Sequence, residues 1–172
     1  RELLIKLVNA GRMAPSGANL QPCEFIVVDE AEQVQALFPL LKWAGYIAPA
    51  GNPPEGHRPV AYIVVLVDHS RKKKGGEMDA AAAIQNLLLA AWEEGIGACW
   101  IGSVNARSIV NLLRIPHPLS VNAVVALGYP DESPQTEELK DSVKYWKDDR
   151  GTLHVPKRPL KDLCHFNRYG MV

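Results

Sequence analysis

The order of apolar and polar positions predicts that helices and strands alternate along the whole chain. Apolar residues recur at helical spacing within Glu2–Met13, which predicts an amphipathic helix that Pro15 ends. Continuous apolar runs predict buried strands at Phe25–Val28, Val60–Val67, Ala98–Ile101 and Val121–Leu127. Helical spacing returns at Glu30 to about Leu41, Glu77–Glu94, Ala106–Leu113 after an Asn105 cap, and Glu137–Trp146.

Two segments between these elements are unusual. Lys42–Pro59 is rich in Gly and Pro and is too long for an ordinary connection, so it is functional or disordered. Arg71–Lys74 is a basic run, which we interpret as a solvated loop in preference to a contact with a nicotinamide phosphate. In the long helix that follows, Asp79 suits the helix dipole, and the alanines after it let another helix or a cofactor approach closely.

Composition narrows the class of protein. The 172 residues fit one domain, and 19 basic and 19 acidic residues cancel, which argues against nucleic acid or anionic lipid as a partner. No apolar run approaches the roughly 20 residues of a membrane span. The three cysteines are odd in number and lack C-x-x-C spacing, which suits a reducing cytoplasm, and the histidines show no metal-binding spacing.

The most informative segment is the polar loop Ala14–Pro22, between the first helix and the first strand. Pro15 and Gly17 stop the helix, and Ser16 and Asn19 place short polar side chains on the turn. A loop that leaves a helix and enters a buried strand offers backbone N–H groups in a rigid frame, so it suits a polar ligand. Taken alone, it is equally consistent with an ordinary connection.

The string Pro15-Ser16-Gly17-Ala18-Asn19-Leu20-Gln21-Pro22 resembles the Pro-Ser-Ser/Gly-x-Asn-x-Gln-Pro loop of the FMN-dependent nitroreductase family. Further segments resemble that family in the same order: Asp79–Ala91, Gly95–Ser103, Val121–Pro130 and Pro156–Leu160. Together the matches span most of residues 3–163. No Gly-x-Gly-x-x-Gly follows a strand and no P-loop occurs, which disfavours a doubly wound dehydrogenase or a P-loop enzyme.

The resemblance implies a set of FMN-binding residues. Pro15, Ser16 and Gly17 would line the ribityl chain and the ring edge. Asn19 would reach the isoalloxazine ring from the same loop, which also contains Gln21. Trp100, Ile101, Gly102 and Ser103 would lie beside the ring, and Lys157 and Arg158 would hold the phosphate, Arg158 being favoured for its planar fork. The family's Arg-Ser-x-Arg segment is absent before Arg1, so we expect that residues upstream belong to the natural protein and complete the phosphate clamp.

The resemblance also implies fold, assembly and reaction. The alternation of elements is compatible with a parallel sheet, but the resemblance implies an α+β domain over residues 1–172, with a mixed, mainly antiparallel central sheet and a long central helix. It further implies a homodimer with FMN at the interface, reduced by NAD(P)H and reoxidised by a nitroaromatic or quinone in ping-pong order. Because the flavin carries the chemistry, no catalytic side chain is expected. A specialised branch (flavin fragmentation, dehalogenation or peptide oxidation) and a non-catalytic flavin-binding redox sensor remain alternatives.

Overall fold

The computed structural model describes residues 1–171, which divide into two compact units. Unit 1 comprises Arg1–Trp43 and Pro53–Pro130, and unit 2 comprises Ala44–Asn52 together with the chain from Asp131 onward. Within the described residues, no helix combines the length and the apolar character needed to cross a membrane.

Unit 1 is built on a four-stranded sheet. Its strands are β1 (Cys23–Val28), β2 (Ala61–Asp68), β3 (Gly97–Ile101) and β4 (Leu119–Gly128). They are ordered β1-β2-β4-β3, and every neighbouring pair is antiparallel. Its helices are α1 (Glu2–Arg12), α2 (Ala31–Leu37), α3 (Gly76–Glu93) and α4 (Ala106–Leu113). The predicted α+β class is therefore confirmed, and a parallel central sheet is excluded.

Strand β2 is one of the two inner strands of this sheet, and all eight of its residues are buried. Alternate residues of a strand point to opposite faces, and each face of this sheet carries its own apolar cluster. Ile63 and Val65 pack with residues of α1 and α3, whereas Tyr62 and Val64 pack with residues of α2 and α4. Burial raises the pKa of the Tyr62 hydroxyl to about 12, with the charge of Arg58 opposing this shift.

The predicted elements of unit 1 are confirmed with small shifts of their ends. The predicted burial of the third strand is wrong, because β3 lies at an edge of the sheet and Cys99 and Trp100 are exposed. The long helix α3 begins and ends within one residue of its predicted bounds. Helix α2 is shorter than predicted, because it ends at Leu37 and continues as a 3-10 turn over Phe38–Leu40. Pro39 explains this end, since proline has no N–H to donate to the carbonyl four residues earlier.

Unit 2 contains a small three-stranded sheet. Strands β5 (Gln135–Glu138) and β7 (Leu153–Lys157) are parallel, and β6 (Trp146–Lys147) joins the other edge of β7 antiparallel. The predicted helix Glu137–Trp146 is wrong. Most of this segment is exposed, so a helix there would bury no apolar face, and isolated helices of about ten residues are marginal in water. Strand β7 instead provides backbone hydrogen-bond partners.

Candidate functional site

The loop Pro15–Pro22, between α1 and β1, has an unusual backbone. A 3-10 turn spans Gly17–Asn19, and three residues that are not glycine have positive φ: Ala18 at 51°, Asn19 at 56° and Gln21 at 50°. The left-handed region costs a residue with a β-carbon roughly 1–2 kcal/mol, less for asparagine. Such strain persists only where the surroundings hold it, and it is concentrated at functional sites.

Two side-chain oxygens hold this backbone. The hydroxyl Oγ of Ser16 accepts a hydrogen bond of 2.9 Å from the Gln21 N–H, which closes the loop on itself. The carboxylate Oδ1 of Asp79, in the first turn of α3, accepts a bond of 3.1 Å from the Gly17 N–H. The other oxygen of Asp79 lies 2.7 Å from Lys72 Nζ, so an ion pair stands behind the loop.

Asp79 is one of two buried charged residues of the described chain, at 8% exposure. Burial by itself raises the pKa of this carboxyl, but hydrogen bonds from Lys72 and the Gly17 N–H, together with the Lys72 charge, outweigh it and leave the pKa below its ordinary value. The sequence interpretation assigned Asp79 only to the helix dipole. The available signal was its position on the same helical stripe as buried Ala83 and Leu87, where a carboxylate requires a partner.

A cavity of about 220 Å³ opens beside the loop. Three of the predicted residues line it: Pro15, Ser16 and Gln21. Its lining also includes residues that the sequence did not predict: Gly11, Arg12, Ala14, Pro22, Cys23, Glu24, Arg71, Asp79 and Ala83. Gly17 and Asn19 are exposed and are not part of this lining.

The cavity lining carries charges of both signs, from Arg12 and Arg71 and from Glu24 and Asp79, together with the Cys23 thiol. Arg12 and Arg71 are both exposed, and Nε of Arg71 lies 3.5 Å from Oδ2 of Asp68. Burial, reinforced by the charge of Asp79 and opposed by that of Lys72, raises the pKa of the Cys23 thiol. The site therefore disfavours the thiolate, which is the reactive form of a cysteine.

The second predicted segment lies at the end of strand β3. Trp100 is 42% exposed, whereas the Ile101 side chain is buried in the core on the α2 and α4 side. Gly102 and Ser103 are exposed and follow the last paired residue of the strand. A β-carbon at Gly102 would meet no atom within 4 Å, so the backbone is open on that side. None of the four residues lines the 220 Å³ cavity.

The third predicted segment, Lys157 and Arg158, lies in unit 2. Both residues are exposed, and together with Lys161 they line an open groove of about 650 Å³. Arg158 Nη2 donates a hydrogen bond of 3.2 Å to the Asp162 carbonyl, which partly orients the guanidinium. Lys161 is not among the residues predicted from the sequence to bind the phosphate. Its position three residues after Arg158, in the same basic segment, could have indicated it.

Comparison with known proteins identifies the family. Residues 1–129 match the model of the Nitroreductase family, and the chain belongs to this family. It is 34% identical over 146 residues to a candidate NADH dehydrogenase/NAD(P)H nitroreductase of Methanothermobacter thermautotrophicus, covering 81% of this chain and 72% of that protein.

Solved structures agree. An FMN-dependent nitroreductase of Clostridium difficile superposes with a TM-score of 0.68 at 27% identity, over 98% of this chain and 88% of the other. A candidate nitroreductase of Desulfovibrio desulfuricans, solved in complex with FMN, has a TM-score of 0.66 at 27% identity, over 98% and 85% of the two chains.

Proposed function

We propose that this protein is an FMN-dependent oxidoreductase that takes reducing equivalents from NAD(P)H and passes them to an electron-poor acceptor such as a nitroaromatic or a quinone. The observation that carries the proposal is the strained loop Pro15–Pro22, held in place by buried Asp79 in a chain of the Nitroreductase family. We further propose that residues 1–172 form one FMN-binding domain in each subunit.

The chemistry of the donors in unit 1 fits a flavin ring. Ser16, Asn19 and Gln21 provide hydroxyl and amide groups on one short loop, and Trp100 near the end of β3 is a partly exposed aromatic residue. Backbone N–H groups at Gly102 and Ser103 would donate hydrogen bonds to the polar edge of the ring. When bound, FMN supplies the hydride chemistry, and the protein contributes binding and orientation.

The chemistry of unit 2 fits a phosphate. Lys157, Arg158 and Lys161 place three cations around one open groove, and an arginine fork suits the oxygens of a phosphate monoester. Glu137 and Glu138 also line the groove and oppose part of this attraction. We assign the phosphate chiefly to Arg158, with Lys157 as its neighbour, because the carbonyl of Asp162 already orients the guanidinium.

A homodimer with FMN at its interface is part of the proposal. Three large apolar side chains share the outer face of α3: Met78 is 78% exposed, Leu89 is 60% exposed and Trp92 is 82% exposed. Met78 and Leu89 are 11 residues apart, and Leu89 and Trp92 are 3 residues apart, so all three lie on one helical face. An apolar stripe of this kind on a subunit indicates a surface that a partner covers, and we assign it to a second copy.

Flavin absorption tests the proposal. The purified full chain should bind FMN, its visible flavin band should bleach with NADH or NADPH without oxygen, and a nitroaromatic or quinone should restore it. Parallel lines in initial-rate plots would support a ping-pong order, in which the nicotinamide leaves before the acceptor enters. A protein that takes up no added FMN contradicts the proposal, and stable reduction without reoxidation by any acceptor favours the redox-sensor alternative.

A further inference from the structure

The least explained feature of unit 1 is the ion pair behind the loop Pro15–Pro22, between partly buried Lys72 and buried Asp79. The side chain of Lys72 is 18% exposed and that of Asp79 is 9% exposed, and their charged atoms lie 2.7 Å apart. Removing two charges from water is costly, so such a pair adds little net stability compared with apolar residues. A role in placing a neighbouring group explains the pair better.

The hydrogen bonds of the loop identify this neighbouring group as the backbone N–H of Gly17. The loop is fixed near its start by the helical turn in which the Ala14 N–H bonds the Gly11 carbonyl, and at its end by the Asp68 N–H, which donates to the Pro22 carbonyl at 2.8 Å. The bond between Ser16 and Gln21 is internal to the loop, so it shapes the loop without placing it on the domain. The bond from the Gly17 N–H to Asp79 connects the middle of the loop to α3.

Lys72 affects both Gly17 and Asp79. A β-carbon at Gly17 would lie 2.8 Å from Lys72 Nζ, so the ammonium group lies directly against the glycine. A larger residue at position 17 would therefore displace the ammonium group from its place beside Asp79. Lys72 also neutralises the Asp79 carboxylate, which would otherwise repel an anionic ligand beside the cavity.

We propose that Asp79 is a positioning residue, oriented by Lys72, that holds the loop Pro15–Pro22 in its strained conformation and thereby prepares it for the cofactor. This inference rests on the proposed function, because it takes the loop to be the segment that contacts the flavin ring. Asp79 itself contacts the backbone of Gly17 and has no assigned contact with the ring.

Amide hydrogen exchange of the cofactor-free full chain tests the placement of the loop. In Asp79→Ala the Gly17 N–H loses its charged acceptor, and we expect its exchange to be faster by about tenfold or more. Asp79→Asn keeps the volume and one neutral oxygen, so a smaller increase is expected, and it decides the question if the alanine variant does not fold. Glu77→Gln is the matched control, because it removes an exposed carboxylate from the same helical turn. Exchange at Gly17 that is the same in both Asp79 variants as in the wild type, or equally faster in Glu77→Gln, overturns the inference.

FMN titration then separates positioning from a purely structural role. We expect FMN to bind about tenfold more weakly to Asp79→Ala and to Lys72→Met, with partial recovery in Asp79→Asn and no change in Glu77→Gln. Faster exchange with unchanged FMN affinity and an unchanged flavin potential would mean that the pair is structural only. A wild-type chain that binds no FMN refutes the proposed function and the cofactor role, whereas the exchange measurement still decides whether Asp79 holds the loop.

Discussion

The assignment of the cofactor phosphate to unit 2 gives the sharpest prediction. Replacing Arg158 with alanine removes a guanidinium from a groove that it shares with Lys157 and Lys161. A charge-assisted hydrogen bond contributes about 1.5–3 kcal/mol, which corresponds to a tenfold to a hundredfold loss of FMN affinity, to the nearest order of magnitude. We expect the lower part of this range, because two lysines remain and the site is open to solvent.

Fluorescence titration of FMN into the full chain measures the effect, and riboflavin provides an internal comparison. Because riboflavin lacks the phosphate, its affinity should be the same for Arg158→Ala and the wild type. Arg150→Ala is the matched control, since it removes an exposed arginine of unit 2 that does not line the groove. An FMN affinity of Arg158→Ala equal to that of Arg150→Ala, or an equal loss for riboflavin, would refute the phosphate assignment.

Three further predictions concern assembly, packing and pH. Trp92→Glu should weaken the proposed dimer by roughly thirtyfold or more, as expected for a buried aromatic anchor of about 2 kcal/mol; unchanged sedimentation would contradict this. Ile109→Ala should lower the free energy of unfolding by about 2–5 kcal/mol in denaturant titrations, because Ile109 is fully buried, and Leu112→Ala on the same helix, at 37% exposure, should cost clearly less. The pKa of Asp79 in the folded protein lies below its ordinary value of 3.8. The ionised carboxylate therefore stabilises the folded state above pH 3.8, and this stabilisation is lost as the pH falls through the folded pKa. Asp79→Asn should therefore have a lower free energy of unfolding than the wild type at pH 7. If this difference between the two proteins does not narrow when the pH falls below about 3.8, the charge of Asp79 is not its cause.

The sequence by itself determined the elements whose apolar pattern is unambiguous. The run Val60–Val67 is apolar at every position, which requires a strand covered on both faces, and β2 buries Ala61–Val67, whereas Val60 precedes the strand and is exposed. The long helix α3 was equally predictable, because its apolar stripe continues over five turns and Gly95 follows its end. The loop Pro15–Pro22 stood out through residue types that favour turns, and the resemblance to the nitroreductase family supplied its expected partner.

Only the tertiary structure determined how these elements meet. The segment Glu137–Trp146 has the composition of a helix, yet part of it pairs with β7, because a short exposed helix gains too little from local hydrogen bonds alone. Lys72 and Asp79 are ordinary charged residues in the sequence, and their importance arises from burial beside Gly17, which is 62 residues from Asp79 along the chain. Local patterns record which face of an element is apolar, whereas the cost of a buried charge, and the partner that offsets it, depend on contacts between distant parts of the chain.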